Sequence, residues 1–231
     1  MTENSWTNED KMSITENIKK IKENLPRGVM LVAASKMNPT ASVSEAIAAG
    51  VDACGENRVQ EMLQKHSEGA YDGAPLHFIG HLQSNKVRQV VGLCDLIESV
   101  SSAELLQKIN GRADILGIKQ NILLEINIAG EASKSGLSPN QLPQILEISS
   151  KCDSVNVRGL MCIPPISEKP GQNRSYFAAM YDLFIDIGRK KYDNVSMDLL
   201  SMGMSGDYLD AAAEGANVVR VGSAIFGNRN Y

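Results

Sequence analysis

The sequence predicts an α/β fold: one domain over residues 1–231, built as a single (β/α)8 TIM barrel. Three observations predict it. Apolar runs of strand length occur eight times, a helix-like segment follows each of the first seven, and the spacing is regular. The runs VMLVAA, VDACG, LHFIG, LIESV, NILLEIN, VRGLMCI, SMDLLS and NVVRVG start near 29, 51, 76, 96, 121, 157, 197 and 218, about 27 residues apart. Roughly 30 per unit is expected when about 250 residues build eight βα units. Steady alternation of the two periods implies a parallel sheet, and eight repeats close it most simply. An open doubly wound sheet is the alternative, but no G-x-G-x-x-G follows the first strand.

The elements follow in order. SITENIKKIKENLP puts Ile14, Ile18, Ile21 and Leu25 at helical spacing and stops at Pro26, so an amphipathic helix precedes the barrel. VMLVAA then runs through Ser35 into Lys36 and a turn at Pro39. An Ala-rich helix ends at Gly50 before VDACG, and another ends at Gly215 before NVVRVG. That echo is shared chemistry at the helix end, where glycine closes the last turn, rather than a duplicated half-barrel. The strands LHFIG to SMDLLS are separated in the same way, and the last strand has only a short helical tail.

Composition narrows the function classes. Lys and Arg number 23 against 27 Asp and Glu, and a net charge of −4 lacks the basic excess that collects nucleic-acid phosphates. Cys54, Cys94, Cys152 and Cys162 form no C-x-x-C pair and no signal peptide is evident, which points to reduced thiols in the cytoplasm. No apolar run is long enough to span a membrane. His66, His77 and His81 lack metal-ligand spacing, GSAIFGN lacks the G-K-[ST] ending of a phosphate-binding P-loop, and no G-x-S-x-G occurs.

In a barrel the chemistry lies at the C-terminal ends of the strands. That rule selects Lys36, then Asn57 and Arg58, His81 and Asn85, and Ser99 and Ser101. Further along it selects the AGEASKSG loop, the Met161–Pro165 turn, SMGMSGD and the Arg220–Ser223 turn. Pro164, Pro165 and Pro170 frame a loop read as a connector rather than a lid. A lysine in Lys36's position either snorkels to a partner or, partly buried with a lowered pKa, attacks a carbonyl as a Schiff-base lysine. SMGMSGD offers Ser201 and Ser205 around Gly203 and Gly206, and RVGSAIFG places Gly222 and Ser223 at a helix start. Both turns lie after strands 7 and 8, where barrels bind phosphate. A phosphate opposite a lysine suggests pyridoxal 5′-phosphate.

ASK at 34–36, GENRVQE at 55–61, HFIGHLQSNK at 77–86, KSG at 134–136, RGLMCI at 158–163, SMGMSGD at 201–207 and VRVGSAIFG at 219–227 together carry a resemblance. The chain resembles the YggS and PROSC group of pyridoxal-phosphate homeostasis proteins, related in fold to the barrel of alanine racemase. The resemblance implies that Lys36 carries the internal aldimine, that the turns around Ser201 and Ser223 hold the phosphate, and that Arg220 approaches the pyridine nitrogen. It adds Asn57, Met204 and Gly222 to the cofactor-binding set. Many relatives carry a second basic residue where this chain has Asn38; Lys134 is a candidate for a positive group near the mouth.

Two function classes follow: a carrier that stores, buffers or delivers pyridoxal phosphate to apo-enzymes, and an amino-acid racemase. Racemisation needs bases on both faces of the Cα, and only Lys36 is in place. The related racemases take the second from a tyrosine on a β-rich domain, and here only Tyr208 or Tyr231 could be offered. The expectation is a monomeric carrier without robust turnover.

Overall fold

A computed structural model describes residues 12–131 and 134–227. Tyr231 and part of the AGEASKSG loop, Ala132 and Ser133, lie outside the described residues. Eight parallel strands close into a barrel in sequence order: β1 Met30–Ala34, β2 Ala53–Glu56, β3 Leu76–Phe78, β4 Leu96–Val100, β5 Gln120–Glu125, β6 Val155–Met161, β7 Val195–Ser201 and β8 Val218–Val221. Each expected strand is present; β6 and β7 begin two residues earlier than the hydrophobic pattern suggested. Closure is made by β1 on β8, with Met30 opposite Val218 and Ala33 opposite Val221.

Helices cover the outside: α1 Ile14–Asn24, α2 Thr40–Ala48, α3 Val59–Ser67, α4 Val87–Val90, α5 Ala103–Leu116, α6 Leu142–Ser149, α7 Arg174–Gly188, α8 Tyr208–Ala213 and α9 Ser223–Phe226. The first starts on a capping box, Ser13 Oγ accepting from Glu16 N at 3.2 Å while Glu16 accepts from Ser13 N at 2.8 Å. Such a cap stabilises the helix by about 1 kcal/mol. Ile18 and Ile21 are its buried face, and Asn17 Nδ2 donates to Ile225 O at 2.9 Å, tying α1 to α9. Ser102 caps α5 and Gly117 ends it at φ +66°.

The alternation of side chains along each strand sorts the core into two parts. Leu31, Ala33, Cys54, Phe78, Ile97, Ile122, Leu124 and Val219 pack with the helices. Inside the barrel, Val32, Ala53 and Val218 form one small cluster and Leu96, Leu123 and Met161 another, with Leu199 touching both. Strand side chains repeat every two residues. The residues two places beyond Val32, Leu96, Leu123, Leu199 and Val218 are Ala34, Glu98, Glu125, Ser201 and Arg220. The layer above the apolar floor, at the C-terminal mouth, is therefore mostly polar.

Candidate functional site

A pocket of about 300 Å3 opens at this mouth. Lys36, Asn57, Met204, Ser205, Arg220, Gly222 and Ser223 line it, and Ala34, Ile79, Ile163 and Gly206 complete the wall. A hollow of about 420 Å3 at the opposite end, around Lys22, Pro26 and Asp52, lies away from the strand ends where barrels place their chemistry. Two glycines shape the mouth. A Cβ on Gly80 would stand 2.1 Å from Asn57 O, so only glycine lets the end of β3 pass Asn57. Gly203 adopts φ +91° and would put a Cβ 2.5 Å from that of Ala211.

Of the seven cofactor-binding residues the sequence nominated, six line the pocket. Ser201 does not. It is fully buried at the end of β7, its hydroxyl donating to Glu98 Oε2 at 2.5 Å and accepting from Arg220 Nη1. The neighbouring hydroxyl of the same turn, Ser205, is the one in the pocket, where its Oγ accepts N–H groups from Gly222 at 3.1 Å and Ala224 at 3.2 Å. Ser201 is the inward residue that ends β7, and Ser205 lies beyond the Gly203 turn.

Arg220 is buried and multiply held. Besides Ser201, its Nη2 donates to Cys162 O at 2.9 Å, and Nη1 lies 3.7 Å from Glu98 Oε2. On the far side of Glu98, His77 Nδ1 meets Oε1 at 2.7 Å. Burial alone would raise the Glu98 carboxyl, but the His77 hydrogen bond, the His77 and Arg220 charges and the Ser201 hydroxyl together hold it below the ordinary range. A chain His77–Glu98–Ser201–Arg220 thus runs through the barrel interior beneath the pocket. It offers Arg220 to the pocket from a fixed place.

Glu125, in the same layer, behaves differently. Burial pushes its carboxyl up, opposed by Arg220, His81 and a hydrogen bond from Ser135 Oγ at 3.4 Å, and its Oε2 has no partner among the described residues. A raised folded pKa means the folded protein holds that proton more tightly than the unfolded chain. Glu125 therefore favours folding in acid and costs stability as pH rises through the unfolded and then the folded value. Glu125→Gln is expected to raise the thermal midpoint over wild type at about pH 7 and to lose that advantage below about pH 4, measured by calorimetry. An equal gain at both would assign the effect to packing.

The remaining nominations are placed as follows. Arg58, His81 and Asn85 are exposed, and Ser99 is buried with no partner for its hydroxyl among the described residues. Lys134 pairs with Glu131 at 3.1 Å within its own loop. Asn38 Nδ2 donates to Lys36 O at 3.1 Å, so it holds the lysine's turn. The proline loop is anchored by buried Asn173, whose Nδ2 reaches Pro165 O at 2.9 Å and Asp207 at 2.8 Å. Tyr208, at the start of α8, does not line the pocket.

The family model described as "Alanine racemase, N-terminal domain" matches residues 10–230. The pyridoxal phosphate homeostasis protein of Aquifex aeolicus is 39% identical over 221 residues, spanning 94% of this chain and 96% of that protein. The Escherichia coli protein of the same name is 36% identical over 210 residues, 89% of this chain and 88% of that one. This chain belongs to the pyridoxal phosphate homeostasis protein family.

Among solved structures, PipY of Synechococcus elongatus with PLP bound superposes with a TM-score of 0.82 at 34% identity, covering 93% of this chain and 100% of that one. Alanine racemase from Clostridium difficile shares the fold, at 18% identity and a TM-score of 0.72 over 60% of its length. Family membership agrees with the barrel. The interior chain of this homeostasis-family protein is not legible in the sequence, because no local pattern links its four members. The available signal was a charged or imidazole side chain inside an apolar strand, Glu98 in LIESV and His77 in LHFIG.

Proposed function

We propose that this protein binds pyridoxal 5′-phosphate at the barrel mouth, with Lys36 as the attachment point, and serves vitamin B6 homeostasis by holding, buffering or delivering the cofactor. The carrying observation is that one pocket joins a half-buried amine, Lys36, to the Ser205, Gly222 and Ser223 turns and to Arg220. The residues fit the group. Gly222 and Ala224 give their N–H groups to Ser205 Oγ, which fixes that hydroxyl in the pocket beside Gly222 and Ser223 as a donor for a phosphate oxygen, and hydrogen bonds to a charged acceptor stabilise by roughly 1.5–3 kcal/mol each. In this reading Ser205 replaces Ser201 beside Ser223 and Gly222 at the phosphate, and Asn57 and Met204 border the ring.

When bound, the cofactor supplies an aldehyde that condenses with a lysine amine, releasing water, and a ring that can draw electrons. Arg220 limits the second property. A guanidinium is a donor only, so at the pyridine nitrogen Arg220 would offer a hydrogen bond without handing over a proton. Carrier rather than enzyme is the reading favoured by this pairing, and the relatives above carry a homeostasis name rather than that of an enzyme. For racemisation, Tyr208 does not line the pocket and Tyr231 is outside the described residues.

We place the protein in the cytoplasm as a monomer serving apo-enzymes. The four cysteines are buried and free, with the thiols of Cys54, Cys94 and Cys162 pushed up to about 12, chiefly by burial. No helix among the described residues is long and apolar enough to cross a membrane. The test is to add pyridoxal phosphate or unphosphorylated pyridoxal, reduce with borohydride, and map the modified peptide. Modification at Lys36, with the phosphorylated aldehyde required at far lower concentration, supports the reading. Modification only elsewhere, or equal response to both aldehydes, refutes it.

A further inference from the structure

The turn that carries Lys36 is held by a second lysine. Past β1 the chain leaves the sheet at Ser35, and three backbone groups around Lys36 are each bound by a side chain. Lys65 Nζ donates to Ser35 O at 2.8 Å, Asn38 Nδ2 donates to Lys36 O at 3.1 Å, and Met37 N donates to Glu61 Oε1. Lys65 and Glu61 are one helical turn apart on α3 and pair at 2.8 Å. Lys65 also meets the fully buried Glu56 Oε1 at 2.6 Å, which accepts from Ser35 Oγ at 2.6 Å.

These contacts have a common result. The three N–H groups of the Lys65 ammonium are matched by three acceptors, and the peptide groups on both sides of Lys36 are tied to the same ion-paired cluster. Met37 sits at φ +63°, in the left-handed region that methionine avoids and glycine or asparagine tolerates. Its N–H to Glu61 opposes relaxation of that turn. Neither Lys65 nor Glu61 lines the pocket.

We propose that Lys65 and Glu61 are positioning residues for Lys36: by fixing the peptide groups before and after it, they present its Nζ to an aldehyde at the barrel mouth from a preset position. The inference rests on the reading of Lys36 as the attachment point. Preset geometry matters because a misplacement of about 1 Å in a reacting group can cost roughly 100-fold in rate. Lys65 itself is no rival for attachment, since all its donors are committed and its charge is shared by two carboxylates.

Lys65→Met would leave Glu56 charged and uncompensated in the interior, so a failure to fold would be uninformative. Glu61 is partly exposed and is the residue to change. Two ligands are compared well below each variant's thermal midpoint: pyridoxal phosphate, followed by the rise of its imine absorbance, and 4′-deoxypyridoxine 5′-phosphate, which keeps ring and phosphate but has no aldehyde. In Glu61→Ala the imine should form ~10–100-fold more slowly than in wild type, while the deoxy analogue binds as before. Glu61→Gln, which keeps an acceptor oxygen for Met37 and Lys65, should recover most of the rate.

A parallel loss of both ligands in Glu61→Ala would show a general structural defect and overturn the proposal, as would an unchanged imine rate. A Glu61→Gln variant as slow as Glu61→Ala would overturn it too, since the hold would then not be the hydrogen bonds. The wild-type arm separates the two levels of inference. Absence of modification at Lys36 there would sink the attachment reading itself.

Discussion

Lys36→Ala should abolish the imine band of pyridoxal phosphate completely and leave no borohydride-stable label on the protein, while phosphate-bearing ligands still bind. The first half follows from the position of Lys36, the one lysine among the described residues that lines the pocket at the barrel mouth. The second follows from groups that do not depend on it: the Ser205 hydroxyl, held by Gly222 N and Ala224 N, and the Ser223 region, assembled by the turns after β7 and β8. With about 1.5–3 kcal/mol per charge-assisted hydrogen bond, two or three such contacts retain micromolar to millimolar binding of the ring phosphate. Equilibrium dialysis of 4′-deoxypyridoxine 5′-phosphate against wild type and variant measures this directly. Loss of all phosphate-ligand binding in a folded Lys36→Ala protein would show that the turns contribute little, and retention of the label would move the attachment elsewhere.

Arg220→Glu should be severely destabilised, by about 3–5 kcal/mol, which for a chain of this size lowers the thermal midpoint by roughly 6–20 °C. From chemistry alone this substitution is attractive, because a carboxylate beside a pyridine nitrogen would favour its protonated form. The interior chain forbids a simple exchange. Arg220 is the cation facing Glu98, which is fully buried, and its guanidinium also satisfies Cys162 O and Ser201. A second carboxylate would face Glu98 with only His77 left to balance two charges. Calorimetry on Arg220→Glu alone and combined with Glu98→Gln tests the account: the second change should restore much of the lost stability by removing the repulsion. An Arg220→Glu protein as stable as wild type would mean that Glu98 does not depend on Arg220.

The positions of the strands were legible because each is a short apolar run bounded by turn residues, a local signal that needs no partner. Lys36, Gly222 and Ser223 were legible for a related reason. They stand at strand ends, and in a barrel the strand end is the mouth. Ser201 and Ser205 show where that reasoning loses resolution. Both belong to one short turn, and only the path of the chain through Gly203, with its positive φ, turns the first hydroxyl into the interior and the second into the pocket.

Taken by itself, the amino-acid sequence determined the number and order of the strands and the parallel sheet they imply, with a closed barrel as its simplest form and the strand ends as the place for chemistry. All of these rest on periodicity and spacing along the chain. Tertiary structure alone decided which polar groups meet: His77, Glu98, Ser201 and Arg220 come from four strands, and Lys65 reaches back to Ser35 across thirty positions. The physical reason is that a buried charge is tolerated only with its partners. The identity of those partners is set by the circular neighbour order and stagger of the strands, which bring residues distant in sequence to within 3 to 4 Å.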